Sequence, residues 1–125
     1  MQTELTSERV ARNQSTFRDA NESIEREAEA LVPCAEQVPF VCECPDPGCT
    51  SIALLSFVDY EIVRSRGDWF LAVLGHEVCV VDDEEVARIA KRYTAFTLME
   101  NVGQAGETAK QLDPRADSAA TQAQG

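Results

Sequence analysis

The segment Val41–Cys49 reads VCECPDPGC and contains three of the five cysteines of the chain. Pro45 and Pro47 exclude a helix, and Gly48 permits the positive φ that a tight turn requires. The three thiols can therefore converge on one point without help from distant parts of the chain. Their C-x-C-x4-C spacing predicts a metal-binding knuckle, although it is tighter than the commoner C-x2-C pair.

A structural zinc site needs four tetrahedral ligands, usually cysteine thiolates and histidine nitrogens. The segment supplies three of them: Cys42, Cys44 and Cys49. Three further residues are candidates for the fourth ligand: His76, which is the only histidine, Cys79 and Cys34. Spacing alone does not separate them. His76 follows Gly75 at the end of a predicted strand, where a loop can point the imidazole back at the knuckle.

The chain before the knuckle predicts one long helix from Thr6 to about Leu31, because this stretch lacks Gly and Pro until Pro33. Four apolar residues stand at seven-residue spacing along one line of that helix: Val10, Phe17, Ile24 and Leu31. Such a thin stripe is typical of a helix that packs across its own domain. It also resembles a coiled-coil seam, which would pair the helix with a second copy or a partner protein.

The remaining chain predicts short strands and short helices. We expect a hairpin of 38–41 and 51–55, a helix over 57–64, a strand over 69–74, an acidic connector at 82–85 and a last helix ending near Leu112. Between them, 85–90 and 93–99 predict a hairpin that turns at Lys91-Arg92, although 86–91 alone is equally compatible with a helix. The predicted fold class is α+β: an N-terminal helix in 1–33, a zinc-binding domain of short antiparallel strands and short helices in 34–115, and a disordered tail in 116–125.

Composition narrows the classes of function. The 125 residues carry 22 acidic and 11 basic side chains, a net charge of -11, and no dense Lys/Arg cluster. Nucleic-acid binding is therefore disfavoured, and a protein partner with a basic face is favoured. No apolar run approaches the ~20 residues of a membrane span, and no signal peptide is visible, so we expect a cytoplasmic protein. In reducing cytosol five cysteines favour metal binding over disulfides.

Several motifs follow one another in order: Phe17-Arg18 with Asn21-Glu22, Phe40-x-Cys42-Glu43-Cys44 with Cys49, Tyr60 with Val63-Arg64, Gly75-His76-Glu77, and Asp113-Pro114-Arg115. In this order they resemble a group of small, uncharacterised bacterial proteins. The resemblance implies that Cys42, Cys44, Cys49 and His76 are the shared ligands, and that Cys34 and Cys79 are additions of this chain. It implies no activity. This chain departs from the pattern at Pro45, Asp59 and Leu74, the last of which precedes the Gly75-His76 turn.

The polar motif residues Arg18, Asn21 and Glu22 lie on the predicted helix, where we expect them to brace the zinc loops or to contact a partner. The favoured function is a protein-interaction or regulatory module with a structural Cys3His zinc site. The alternative is a metal-dependent or thiol-redox enzyme centred on the same ligands and Glu77. It is disfavoured because no second histidine is present, three thiolates make zinc a poor Lewis acid, and Glu43 and Asp46 are expected to raise the thiol pKa values.

Overall fold

The structure is a computed structural model, and it describes residues 5–115. The elements follow in the order α1 (Ser7–Leu31), β1 (Val38–Val41), β2 (Ile52–Leu55), α2 (Phe57–Val63), β3 (Trp69–Ala72), β4 (Val80–Val81), β5 (Glu84–Glu85), β6 (Ala87–Arg92), β7 (Thr97–Asn101) and α3 (Gly103–Leu112). The fold is α+β, with a long N-terminal helix followed by small antiparallel sheets and short helices, as the sequence predicts. The expected tail at 116–125 lies outside the described residues.

Helix α1 begins where the Thr6 side chain accepts a hydrogen bond from the Arg9 backbone N–H, and it ends before Pro33. It packs along α3 and β1. Its apolar line is only partly used in this packing: Val10 is buried, Ile24 is half-buried against the core, and Leu31 is 80% exposed. Most of the buried face is instead polar, and its members stand about one turn apart: Gln14, Arg18, Asn21 and Glu25.

Strands β1 and β2 form the predicted antiparallel hairpin, with Phe40 opposite Ala53 and Val41 opposite Ile52. Side chains alternate across this ribbon, so one face enters the core and the other faces outward. The inward Phe40 ring stacks on Tyr60 of α2 with centroids 4.2 Å apart. Helix α2 begins where the Ser56 hydroxyl accepts from the Asp59 backbone N–H.

The second sheet has the strand order β3-β7-β6 and is antiparallel throughout. The sequence prediction that Lys91-Arg92 forms the turn is wrong, because β6 continues through Arg92 and the turn lies at 93–96. The Tyr93 backbone N–H donates to the Phe96 carbonyl, and the two rings stack with centroids 4.5 Å apart. Burial of Phe96 and this stacking fix the turn three residues later than the charged pair suggests, with 94 and 95 at its centre.

The acidic connector folds into a minimal hairpin of β4 and β5. Asp82 and Asp83 form its turn with φ angles of 50° and 65°, a region that aspartate visits more readily than bulkier residues. Helix α3 then packs against α1 and closes the fold. Within residues 5–115, none of the helices combines the length and the apolarity that crossing a bilayer demands.

Candidate metal centre

The loop of the β1–β2 hairpin presents the three clustered cysteines. The Cys42 N–H donates to the Ser51 carbonyl at 2.9 Å, which extends the ladder by one step past the strands. The chain then turns at Asp46, which accepts hydrogen bonds from the backbone N–H groups of Gly48 and Cys49. This is the tight return that the proline and glycine pattern predicts, and it brings Cys49 back beside Cys42 and Cys44.

His76 reaches the same point from the second sheet. After β3 ends, the His76 backbone N–H donates to the Val73 carbonyl at 2.8 Å, and Gly75 in this turn has a φ of +92°. A side chain with a Cβ rarely adopts that angle, so glycine is required before the histidine. Leu74 is half exposed and does not disturb the turn.

The four side chains predicted from the sequence come together. Nδ1 of His76 lies 3.7 Å from Sγ of Cys42 and 3.5 Å from Sγ of Cys49. One ligand atom from each of the four residues, Cys44 included, lies within 4.8 Å of all the others. Among the residues that the structure describes, Cys34 is exposed and Cys79 half-buried, and neither belongs to this cluster.

These separations fit a tetrahedral ion. With metal–sulfur bonds of about 2.3 Å and a metal–nitrogen bond of about 2.0 Å, ideal tetrahedral angles place neighbouring ligand atoms roughly 3.5–3.8 Å apart. Both distances from the His76 nitrogen lie in this range. Three sulfurs and one imidazole nitrogen with no carboxylate form a donor set that suits a thiophilic ion such as zinc and is unsuitable for magnesium or calcium.

The thiols differ in their protonation. Burial raises the pKa of Cys42 to about 12, reinforced by the neighbouring Cys44 and Cys49. Burial also raises the pKa of Cys44. At Cys49 burial acts in the same direction, but hydrogen bonds outweigh it and lower the pKa to about 7. The hydrogen bond with the Ser51 backbone has the largest effect among them. The sequence attributes raised thiol pKa values to Glu43 and Asp46, but burial is the main cause at Cys42 and Cys44, and at Cys49 the pKa is lowered instead.

Glu43 points away from the sulfurs into the interior, where its side chain is fully buried. Its backbone N–H donates to the Leu71 carbonyl and its Oε1 accepts from the Leu71 N–H, both within 3.0 Å, so the knuckle pairs with the free edge of β3. Arg18 donates to the same carboxylate at 3.2 Å, and Asn21 donates to its other oxygen at 3.0 Å. We call this group of Glu43, Arg18 and Asn21 the carboxylate brace.

Helix α1 also holds the backbone around the cysteines. The Asn21 side-chain amide donates to the Val41 carbonyl and accepts from the Val41 N–H, and Asn13 donates to the Pro45 carbonyl at 2.7 Å. Bracing of the loops, one of the two roles expected of Arg18 and Asn21, is thus confirmed. Sequence reasoning missed Asn13 and the structural role of Glu43. The alternation of Cys42, Glu43 and Cys44 in an extended segment was the available signal, since it places Glu43 opposite the thiols.

Glu22, the third polar motif residue, belongs to a different cluster. Its carboxylate accepts from Tyr60 at 2.9 Å, from Arg64 at 3.1 Å and from Arg115 at 2.7 Å. Burial alone would raise the pKa of Glu22, but these arginines lower it to about 2. The cluster ties α1 to α2 and to the end of the described chain, although Glu22 directly follows Asn21 of the carboxylate brace along α1.

A small pocket of about 270 Å³ opens beside the cluster and is lined by Cys44, Asp46, Gly75, His76, Glu77 and Val78. The Glu77 carboxylate is already occupied: the Thr97 hydroxyl donates to it at 2.7 Å and the Gly75 N–H at 3.1 Å. The hydrogen bond from Thr97, more than any other contact, lowers the pKa of Glu77. The carboxylate that the enzyme hypothesis needs as a base thus serves as an acceptor that holds the His76 turn.

Comparison of the chain with protein-family models, with curated proteins and with solved structures finds no match.

Proposed function

We propose that this protein is a small protein-interaction or regulatory module in which Cys42, Cys44, Cys49 and His76 bind one structural Zn²⁺. The observation that carries the proposal is the convergence of three sulfurs and one imidazole nitrogen from two separate sheets within 4.8 Å. A zinc ion there would supply four bonds linking the β1–β2 loop to the turn after β3. A domain of this size has a modest core, so such bonds would add substantially to its stability.

A structural role is favoured over catalysis by the donor set and by the surroundings. Four protein ligands leave no open position for substrate or water, which a catalytic zinc requires. Glu77 is held by Thr97 and Gly75 and so is poorly placed to take a proton from a bound water. One observation favours the rival enzyme function: the pocket beside Cys44 and His76 gives a small molecule access to the cluster.

The partner we propose is another protein. Eleven basic side chains against 22 acidic ones disfavour nucleic acid, whose phosphates are bound by clustered Lys and Arg. Self-association through α1 is the narrower form of this hypothesis. It would use the apolar residues that packing leaves available at the end of the helix, where Leu31 is 80% and Val32 51% exposed.

Metal analysis tests the site directly. We expect one zinc per chain in the purified protein, and loss of it on Cys42→Ser, Cys44→Ser, Cys49→Ser or His76→Ala. Cys34→Ser and Cys79→Ser are matched controls that should retain the metal. Absence of zinc from the wild type, or loss of it in the Cys34 or Cys79 variant with retention in His76→Ala, would refute the ligand set. A chelated protein that keeps its fold but loses a measurable reaction would favour the enzyme instead.

A further inference from the structure

The strand edges of this protein are protected, with one exception. Exposed backbone N–H and C=O groups at a sheet edge are a template for pairing with another chain, so folded proteins usually cover them. At the outer edge of β1, Asn21 bonds both backbone groups of Val41. At the outer edge of β3, Glu43 bonds both groups of Leu71, and Arg18 donates to the Trp69 carbonyl.

The edge of β6 is protected by other means. A bulge between Ile89 and Lys91 interrupts its ladder, and it carries exposed Arg88, Lys91 and Arg92. Charged side chains and bulges are recognised devices against edge-to-edge pairing. Among the strands that the structure describes, three of the four longer edges are thus covered or charged.

The edge of β2 has neither protection. The Cys42 N–H donates to the Ser51 carbonyl, and hydrogen-bonded and non-hydrogen-bonded residue pairs alternate along an antiparallel ladder. The N–H and C=O groups of Ile52 and Leu54 therefore point away from β1. Within residues 5–115 these groups have no hydrogen-bond partner. A strand laid antiparallel beside β2 would therefore find two donors and two acceptors ready to pair.

The side chains along this edge are apolar and exposed. Ile52 is 53% and Leu54 49% exposed, and across the ribbon they face Val41 and Pro39 on the same outward side. Helix α2, which begins two residues after β2, carries an open apolar groove of about 450 Å³ along Val58 and Ile62. In the described range 5–115, six of the eight large apolar residues that are exposed lie between residues 31 and 62: Leu31, Val32, Ile52, Leu54, Val58 and Ile62.

Charge identifies the kind of partner. The stretch 27–63, which contains β1, β2 and α2, has no Lys, Arg or His but seven acidic residues: Glu27, Glu29, Glu36, Glu43, Asp46, Asp59 and Glu61. Glu43 and Glu61 are paired with arginines, while the other five have no ion-pair partner in the part of the chain that the structure describes. The acidic excess of this stretch favours a basic segment as the partner of the hairpin.

We propose that the free edge of β2 binds an extended, basic segment of a partner protein, which adds to the β1–β2 hairpin as a third strand. Backbone bonds to Ile52 and Leu54 would supply affinity, and alternate apolar side chains of the segment would cover these two residues. Flanking Lys or Arg would meet the acidic surface. The inference rests on the proposed function as an interaction module and names the surface and the partner chemistry.

A designed peptide tests it on the zinc-loaded full-length protein. The probe is a short labelled peptide in which lysine and valine alternate, compared with a glutamate–valine peptide and with a lysine–valine peptide whose outward amides are N-methylated. We expect saturable binding of the first, with shifts of the Ile52 and Leu54 amide resonances, and at least tenfold weaker binding of the other two. No saturable binding up to about 1 mM, or equal binding of the N-methylated peptide, overturns the proposal.

Variants on the protein side complete the test. Ile52→Lys with Leu54→Lys should weaken binding at least tenfold, whereas Val80→Lys, which changes an apolar residue that is 59% exposed on β4, should leave it unchanged. Equal loss in both variants would indicate charge alone and refute strand addition. A wild type that sediments as a dimer and becomes monomeric in the double variant would assign the edge to a second copy. Zinc content measured on the same samples separates failure of this proposal from failure of the zinc site.

Discussion

Cys42, Glu43 and Cys44 are consecutive, yet the side chains on the two sides of this extended segment have different surroundings. On one side the thiols face each other and His76, and the Val73 backbone N–H donates to Sγ of Cys42 at 3.3 Å. On the other side Glu43 is bonded by Arg18, by Asn21 and by the backbone of Leu71. The Glu43 carboxylate is therefore balanced by protein groups alone, whereas the three thiols and the imidazole form a donor set that could hold a metal ion.

The difference assigns separate tasks to the two sides. The carboxylate brace fixes where the knuckle lies, because it joins α1, the hairpin loop and β3 through a single buried residue. The thiol cluster then presents its sulfurs in positions that an ion can use with little rearrangement, which favours tight binding. Removing the ion and breaking the brace should thus have different consequences, and the following experiments distinguish them.

Chelation should have the largest effect. Structural zinc contributes apparent free energies of about 10–16 kcal/mol in small zinc domains, more than a protein of this size can lose and remain folded. We expect a strong chelator to abolish the cooperative thermal transition observed by circular dichroism, and added zinc to restore it. A chelated protein that melts cooperatively at the original temperature would show that the brace and core suffice and that the ion is not structural.

Glu43→Ala should cause the second-largest loss of stability. It leaves the buried Arg18 guanidinium without its carboxylate, and breaking one partner of a buried pair costs about 3–5 kcal/mol. Glu43→Gln retains an acceptor for Leu71 and should cost less. Glu8→Gln, which breaks the exposed pair with Arg12, is the matched control and should cost under about 0.5 kcal/mol. Urea unfolding with zinc present measures all three; equal costs for Glu43→Ala and Glu8→Gln would contradict a structural brace.

The sequence predicts the thiol side better than the brace, for a physical reason. Cys42, Cys44 and Cys49 are close along the chain, so local turn chemistry already brings them together. His76 is a single histidine after a glycine, and it was one of only three candidates. The brace instead depends on which face of α1 turns inward. The apolar line of Val10 and Ile24 gave the approximate direction, but it did not indicate that the polar side chains one turn away would be buried.

The two hairpins show the same limit of prediction from local sequence pattern. The hairpin predicted over 38–41 and 51–55 is confirmed, with antiparallel strands at Val38–Val41 and Ile52–Leu55. At β6–β7 the charged pair Lys91-Arg92 looked like a turn, but burial of Phe96 against distant residues moved the turn to 93–96. Tertiary packing decided the second case, and local pattern cannot anticipate it.

Asn21→Ala should have a moderate effect. It removes the bonds to both backbone groups of Val41 and the bond to Glu43, so a cost of about 2–3 kcal/mol is expected. Asn13→Ala, which removes one bond to the Pro45 carbonyl, should cost about 1 kcal/mol. Denaturant midpoints of the two variants with zinc bound give the comparison. A larger loss of stability from Asn13→Ala would indicate that α1 stabilises the cysteine loop more through its contact with Pro45 than through the carboxylate brace.

The smallest effect concerns Glu25, on the same polar face of α1 as the brace. Burial, more than its neighbour Glu61, raises the pKa of Glu25 to about 8. The native state therefore holds a proton that the unfolded chain releases near pH 4.5, and stability falls as pH rises through the interval up to about 8. Because the partly exposed Arg115 contacts this carboxylate and favours its charged form, we expect the loss to be about 1 kcal/mol at most. Glu25→Gln mimics the protonated form, so its stability relative to wild type should increase from about pH 6 to about pH 9, measured by urea unfolding with zinc bound. A Glu25→Gln difference that is flat across this interval would mean that Arg115, which donates to Glu25 at 3.2 Å, keeps the carboxylate charged, and that the polar face of α1 is fully balanced by arginine.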